Sequence, residues 1–316
     1  MGLPRIRVLA MGGTIAGAAG SSTDATGYRA GATPIDDVLA QVPLDGLAEV
    51  TGEQFAQIDS SNLTDELLLG LARRVLELAT DDTVDGVVVT HGTDSLEESA
   101  YFLHLTVVTS TPIVLVGSMR PPTALSPDGP MNIYAAVAVA ASRAARDKGV
   151  LVVMNDEIHT ARDVTKSSSL RVDAFESPYG PLGTVIAGEP RFYRALDHRP
   201  QPLPIPAQLP TSTIIYAHSG LDAARLTPCD VVVFAGFGNG TVPARMIEPL
   251  LATGALIVRA TRTGSGHVTL VGASEARVND WIAVDDQNPQ RARILACLAL
   301  TVTRDPAEIQ AIFHRS

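Results

Sequence analysis

The sequence predicts an α/β protein: a large, doubly wound, mostly parallel sheet domain followed by a smaller α/β domain. Three observations carry that expectation. Short, nearly continuous β-branched runs recur along the chain, as strands covered on both faces require. Helix-length stretches with short connections separate them, which is the alternation of a parallel sheet. At 316 residues the chain is longer than a single core usually encloses, so two domains are expected.

The elements follow in order. Arg5 to Ala10 reads as the first strand, Val84 to Thr90 as a second, and Pro112 to Gly117 and Gly149 to Met154 as two more. Between them lie helical stretches at Thr64 to Leu78, Ser95 to about Val107, and Pro130 to Ala145. Arg191 to Pro210 is rich in proline and polar residues and cannot form a helix or a central strand, so it reads as a linker. Beyond it, Thr213 to Tyr216, Asp230 to Ala235 and Ala255 to Ala260 restart the alternation. The expected division is therefore a large α/β domain over 1–190, a linker over 191–212 and a smaller α/β domain over 213–316.

Bulk properties narrow the function. An apolar share of 46% with few aromatics suits an aliphatic core and not a disordered chain. The net charge of −10 argues against a nucleic-acid partner, which would call for a basic patch or stripe. It suits a protein whose substrate is small. Cys229 and Cys297 fall into no disulfide, metal or redox spacing. No apolar run approaches the roughly 20 residues that cross a bilayer, so no membrane partner is expected. The chain enters its first strand almost at once without a leader-like apolar region, and the expected compartment is cytoplasmic.

Two stretches sit where ligands bind in such folds, just after predicted strands. The first is Met11-Gly-Gly-Thr-Ile-Ala-Gly17, where paired glycines let the chain turn tightly and leave Thr14 at the strand end. A Gly/Ala/Ser-rich segment from Ala18 to Gly31 follows, with Tyr28 near its far side, a composition suited to a loop that closes over a pocket. On its own this pattern fits a capped glycine turn at least as well as a nucleophile. The second stretch is Thr90-His-Gly-Thr-Asp-Ser-Leu-Glu-Glu98. Ser95 and Glu98 have capping-box spacing, and Asp94 could cap as well; alternatively Thr93 and Asp94 face a pocket at a helix N-terminus, where backbone N–H groups favour negative charge. An attacking hydroxyl also needs a base, and Lys166 in Arg162-Asp-Val-Thr-Lys166 lies shortly after a strand at the same sheet edge.

Together these stretches resemble the bacterial-type L-asparaginase family over nearly the whole chain. The resemblance rests on Gly12-Gly-Thr-Ile-Ala-Gly17, Val88-Val-Thr-His-Gly-Thr-Asp94, Val116-Gly-Ser-Met-Arg-Pro121, Asp128-Gly-Pro130, Gly149 to Asp156, Arg162 to Lys166, Tyr179-Gly-Pro-Leu-Gly183, Gly236-Phe-Gly-Asn-Gly240 and Asn288-Pro-Gln290. The resemblance implies hydrolysis of the asparagine side-chain amide without cofactor or metal. Thr14 would be the nucleophile and Tyr28 its partner on the closing loop. Thr93, Asp94 and Lys166 would form a second hydrogen-bonded set that activates water. Asp94 would take the substrate α-ammonium, Ser60 its α-carboxylate, and the Ser118 carbonyl its amide. A homotetramer, arranged as a dimer of close dimers with sites completed by a neighbouring subunit, is implied in the same way.

The departures bear on substrate choice. Members with high glutaminase activity often carry Gln after the carboxylate-binding serine, where this chain has Ser61. Asn often follows the Gly-Asn-Gly turn, where this chain has Thr241. The neighbour's glutamate is matched in this region by Glu275, although ungapped alignment falls on Ala273. A strong preference for asparagine over glutamine is expected. A nucleotide-binding reading of Gly12 and Gly13 lacks the G-x-G-x-x-G and G-K-[ST] spacings, and the scattered histidines offer no His-x-x-x-His pair for a metal. A non-catalytic amino-acid-binding protein would not need Thr14, Tyr28, Thr93, Asp94 and Lys166 together. His91, beside Thr93, is expected to pack or bond to backbone, and Trp281 to be structural.

Overall fold

The computed structural model describes residues 2–24, 26–195, 201–223, 226–270, 278 and 280–316. The chain divides into two compact units, Met1–Asp197 and His198–Ser316.

In the first unit, β1 (Arg5–Gly12) leads through two-residue strands β2 (Ala18–Ala19) and β3 (Tyr28–Arg29) and helix α1 (Ile35–Leu39) to β4 (Glu49–Ile58). Then follow α2 (Asp65–Ala79), β5 (Gly86–Thr90), α3 (Leu96–Thr106), β6 (Ile113–Val116), α4 (Gly129–Ala141), β7 (Val150–Met154) and β8 (Glu157–Thr160). The short pair β9 (Thr165–Lys166) and β10 (Phe175–Glu176) precedes the hairpin β11 (Gly183–Ile186) and β12 (Glu189–Phe192). The main sheet has eight strands in the order β12-β11-β8-β7-β6-β5-β1-β4. Its β4-β1-β5-β6-β7 portion is parallel, and β8, β11 and β12 add antiparallel.

The β-branched runs behave as their composition requires. Every residue of β5, β6 and β7 is buried. Val8, Val88, Val114 and Leu151 lie side by side across β1, β5, β6 and β7 and pack with Ile133 and Val137 of α4 in one core. Strand alternation turns Leu9, Val87 and Leu115 to the other face, and α2 and α3 contact the same strands. Thr64 caps α2 by accepting from Leu67 N–H, a contact that contributes about 1 kcal/mol.

The chain leaves β1 for β4 on one side and returns to β5 on the other. The strand order therefore reverses between β1 and β5, the place where open α/β sheets bind ligands at their C-terminal strand ends. The second unit holds β13 (Ser212–Tyr216), β14 (Val231–Gly236), α5 (Ala244–Ala252), β15 (Leu256–Thr261), β16 (Ile282–Ala283), α6 (Pro289–Val302) and α7 (Pro306–His314). Its four strands are parallel, and Phe234, Met246, Ile247 and Trp281 share a core there. The Asn288-Pro-Gln290 stretch opens α6, with the Asn288 side chain accepting from Arg291 N–H at 2.8 Å.

Two local expectations change. Arg191 and Phe192, assigned to a linker on composition, form the second half of β12. A two-residue turn at Ala187 and Gly188, both at positive φ, folds β12 back on β11, and an edge strand tolerates Pro190. Ser95 occupies the N-cap of α3 but caps nothing with its side chain, because its hydroxyl donates to the Ser60 carbonyl at 2.7 Å.

Candidate active site

The site residues gather around the β1/β5 reversal. Ala10 and Thr90 are paired neighbours near the ends of β1 and β5, and Thr90 pairs on to Val116 of β6. Gly12 and Gly13 carry β1 into its turn with φ of 97° and 80°, values that disfavour any side chain. Space forbids one as well. A methyl on Gly13 would strike the backbone of Gly92, and one on Gly92 would reach Ser60 Oγ. The turns after β1 and β5 thus touch backbone to backbone, with Thr14 one residue beyond the first and Thr93 one beyond the second.

Thr14 is buried, and its Oγ1 lies 2.5 Å from the Tyr28 hydroxyl. Tyr28 comes from β3, which among the described residues pairs with β2, Ala19 opposite Tyr28. The segment is tied down at three further points: Gly31 N–H donates to the Gly13 carbonyl at 3.0 Å, Ala19 N–H to Thr123 Oγ1 at 2.9 Å, and Leu125 N–H to the Ser22 carbonyl at 3.0 Å.

The second set is equally defined. Lys166 Nζ donates to Thr93 Oγ1 at 2.9 Å and to Asp94 Oδ1 at 2.7 Å. Thr93 is buried and Asp94 is exposed. Asp94 N–H donates to Ser60 Oγ at 3.1 Å, which joins Ser60 to the start of α3. Ser60 is buried, whereas Ser61 is exposed and directs both its N–H and its hydroxyl to Asp59 Oδ1. Ser118 follows β6 and is fully buried; its hydroxyl donates to the Arg120 carbonyl at 3.0 Å. Glu275 lies outside the described residues. Thr241 belongs to the second unit, bridged to Phe237 around the Gly-Asn-Gly turn.

His91 takes the structural role expected of it. It is buried, with Nδ1 2.7 Å from the Gly92 carbonyl and Nε2 3.0 Å from Ser99 Oγ, and burial holds its pKa below the ordinary histidine range.

Residue-by-residue reasoning passed over three supports of this arrangement. Asp128 receives the N–H groups of Met119 and Arg120, both at 2.9 Å, and so fixes the turn that carries Ser118. Asn132 donates to the Gly117 carbonyl and receives Asn155 N–H, both at 3.0 Å, which ties the ends of β6 and β7 together. Glu97 is a buried carboxylate whose Oε2 accepts from Thr165 Oγ1 at 2.6 Å and from Lys166 N–H at 2.7 Å. Asp128 stood out as part of a motif; Glu97 and Asn132 carried no signal beyond being polar residues in apolar helices.

The fold is that of an α/β protein whose candidate site lies at a sheet switch point. The relatives specify which one. Residues 5–198 match the family model described as Asparaginase, N-terminal, and residues 213–313 match the Glutaminase/Asparaginase C-terminal domain. A glutaminase-asparaginase of Pseudomonas aeruginosa is 44% identical over 326 residues, covering 98% of this chain and 90% of that protein. L-asparaginase 2 of Escherichia coli is 41% identical over 335 residues, covering 100% of this chain and 94% of that protein. The crystal structure of a probable cytoplasmic L-asparaginase from Campylobacter jejuni superposes with a TM-score of 0.93 at 41% identity, over 99% of this chain and 100% of that one. The chain belongs to the asparaginase/glutaminase family, and it is accordingly a hydrolase of amide bonds.

Proposed function

We propose that the chain hydrolyses L-asparagine to L-aspartate and ammonia through a threonine nucleophile, with weaker activity on L-glutamine. The observation that carries the reading is the pair of hydroxyls at the switch point, each bonded to a group that can handle its proton: Thr14 to Tyr28, and Thr93 to Lys166. Thr14 Oγ1 attacks the side-chain amide carbon while its proton passes toward Tyr28. Collapse of the tetrahedral adduct breaks the C–N bond, the departing nitrogen takes up a proton, and ammonia leaves a β-aspartyl ester on Thr14. Water, positioned by Thr93 and Lys166, then adds to the ester carbon as it gives up a proton toward Thr93. The carbon's bond to Thr14 Oγ1 breaks as that oxygen regains a proton, which restores the enzyme. Backbone N–H groups near Thr14 and Thr93 hold the oxyanion, each such donor lowering the barrier by about 3–4 kcal/mol.

Asp94 and Ser60 suit the substrate's two charged groups. Lys166 engages Asp94 Oδ1, which leaves Oδ2 for the α-ammonium. Ser60 Oγ accepts from Asp94 N–H and keeps its own proton for the α-carboxylate. The compartment inferred is cytoplasmic and the assembly a homotetramer; light scattering that found a fully active monomer would overturn the latter.

Ammonia release from asparagine and from glutamine, measured for the wild type, Thr14→Ala and Thr93→Val, tests the function. The expected result is a higher kcat/KM for asparagine and loss of turnover in both variants. Comparable kcat/KM for the two amides would overturn the preference, and an active Thr14→Ala would overturn the nucleophile.

A further inference from the structure

We propose that Glu97 is a positioning residue that sets the reach of Lys166 to Thr93. The proposal rests on the reading of Thr93 and Lys166 given above. Lys166 sits in β9, a strand of two residues paired, among the described residues, with the two-residue β10, Lys166 opposite Phe175 and Thr165 opposite Glu176. Ser167 N–H extends the pairing to the Ala174 carbonyl at 2.7 Å. That ladder lies outside the eight-stranded sheet. A lysine side chain carries four flexible methylenes, so an ammonium at a fixed place requires a backbone at a fixed place.

Glu97 supplies that fixed place. Its Oε2 binds both residues of β9 at once, Thr165 through its hydroxyl at 2.6 Å and Lys166 through its N–H at 2.7 Å. Glu97 also lies in the first turn of α3, three residues after Asp94 and four after Thr93. The contacts close a ring: the turn leading into α3 presents Thr93 and Asp94 to the lysine tip, while Glu97, in the first turn of α3, holds the lysine's backbone. Both ends of one side chain are therefore referred to a single helix end. A carboxylate in the first turn of a helix is favoured by the helix dipole, and its burial excludes water that would compete for the two donors. A site group left without such support is held too loosely for its geometry.

The consequence concerns one chemical step. Loss of Glu97 leaves Thr14, Tyr28 and Ser60 in place and reaches Asp94 only through its contact with Lys166 Nζ, so turnover falls through the Lys166 set more than KM for asparagine rises. Outer-shell partners of this kind typically alter activity by about 10-fold to 100-fold.

The experiment is a double-mutant cycle on the full chain with Glu97→Gln and Lys166→Met, reading kcat, KM and thermal midpoint. The expected result has four parts: Lys166→Met is severely slowed, Glu97→Gln loses kcat about 10-fold to 100-fold, its KM stays within about threefold, and adding Glu97→Gln to Lys166→Met costs nothing more. Non-additivity is the sign of a residue acting through Lys166. Glu97→Gln at wild-type kcat, or an additive loss in the double variant, would overturn the positioning role. A fully active Lys166→Met would instead overturn the reading of Lys166 on which it rests. Should Glu97→Gln not fold, Thr165→Val removes one of the two donors and is expected to lower kcat about threefold to tenfold, again only when Lys166 is present; an unchanged kcat would count against the proposal.

Discussion

The two halves of the site share a design and differ in how they are anchored. Tyr28 and Lys166 each reach a threonine from a two-residue strand outside the main sheet. The Tyr28 strand is held by backbone ladder contacts and by single hydrogen bonds to Gly13 and the 121–126 loop, among residues that are mostly exposed. The Lys166 strand is held by a buried carboxylate, and the helix start it faces is held in turn by Ser60 and, around Gly92, by His91. Exposed hydrogen bonds open at little cost and buried networks do not. The Tyr28 half is therefore the more easily opened of the two, and the Lys166 half the more firmly held.

Substitutions sharpen that contrast. The largest effect is expected of Thr14→Ala, which removes the attacking oxygen and should lower kcat at least about a thousandfold; mass spectrometry of the acyl enzyme would show whether the intermediate has gone too. Tyr28→Phe keeps the ring and loses only the proton relay, with kcat expected to fall about a hundredfold and single-turnover ammonia release slowed in parallel.

Next comes a pH effect confined to the rigid half. His159 is buried, its Nδ1 3.0 Å from Ser177 Oγ just beyond β10, and burial pushes its pKa down to about 4. Burial lowers His91 in the same direction. The unfolded chain takes up these protons near pH 6.5. The stability the neutral histidines confer is thus fully present above that value and lost as pH falls toward about 4, amounting for His159 to about 3 kcal/mol. Denaturant midpoints at pH 7 and pH 4 would measure most of it, and His159→Asn should flatten the difference. The smallest effect is expected of Thr123→Val, which releases one tie on the Tyr28 segment: KM for asparagine should rise about threefold, within the range of a single neutral hydrogen bond, with the Lys166 half and the thermal midpoint unaffected.

Much of the fold was legible because its strands are buried on both faces and their β-branched runs say so. The β4 strand, Glu49–Ile58, escaped that signal. It lies at the sheet edge with half-exposed polar residues, and its sequence reads as neither alternation nor an apolar run. The first half of the site, Thr14 with Tyr28, falls within one glycine-rich stretch and could be proposed from it. Lys166 is a lone lysine far along the chain from Thr93, and only the match of many motifs in one order brought the two together. Glu97 gave no sign, since a glutamate in the first turn of a helix needs no function to explain it, and its burial depends on where β9 docks.

The contact between Gly13 and Gly92 constrains redesign as well as chemistry. With no side chain between these turns, their spacing is a backbone dimension that mutagenesis cannot tune by degrees. A side chain at position 13 meets the backbone of Gly92, and one at position 92 meets the side chain of Ser60. Efforts to retune which amide is accepted therefore have little to vary at the floor of the site, and libraries are better spent on its exposed rim, where Ser61 and its surroundings can change without moving the sheet.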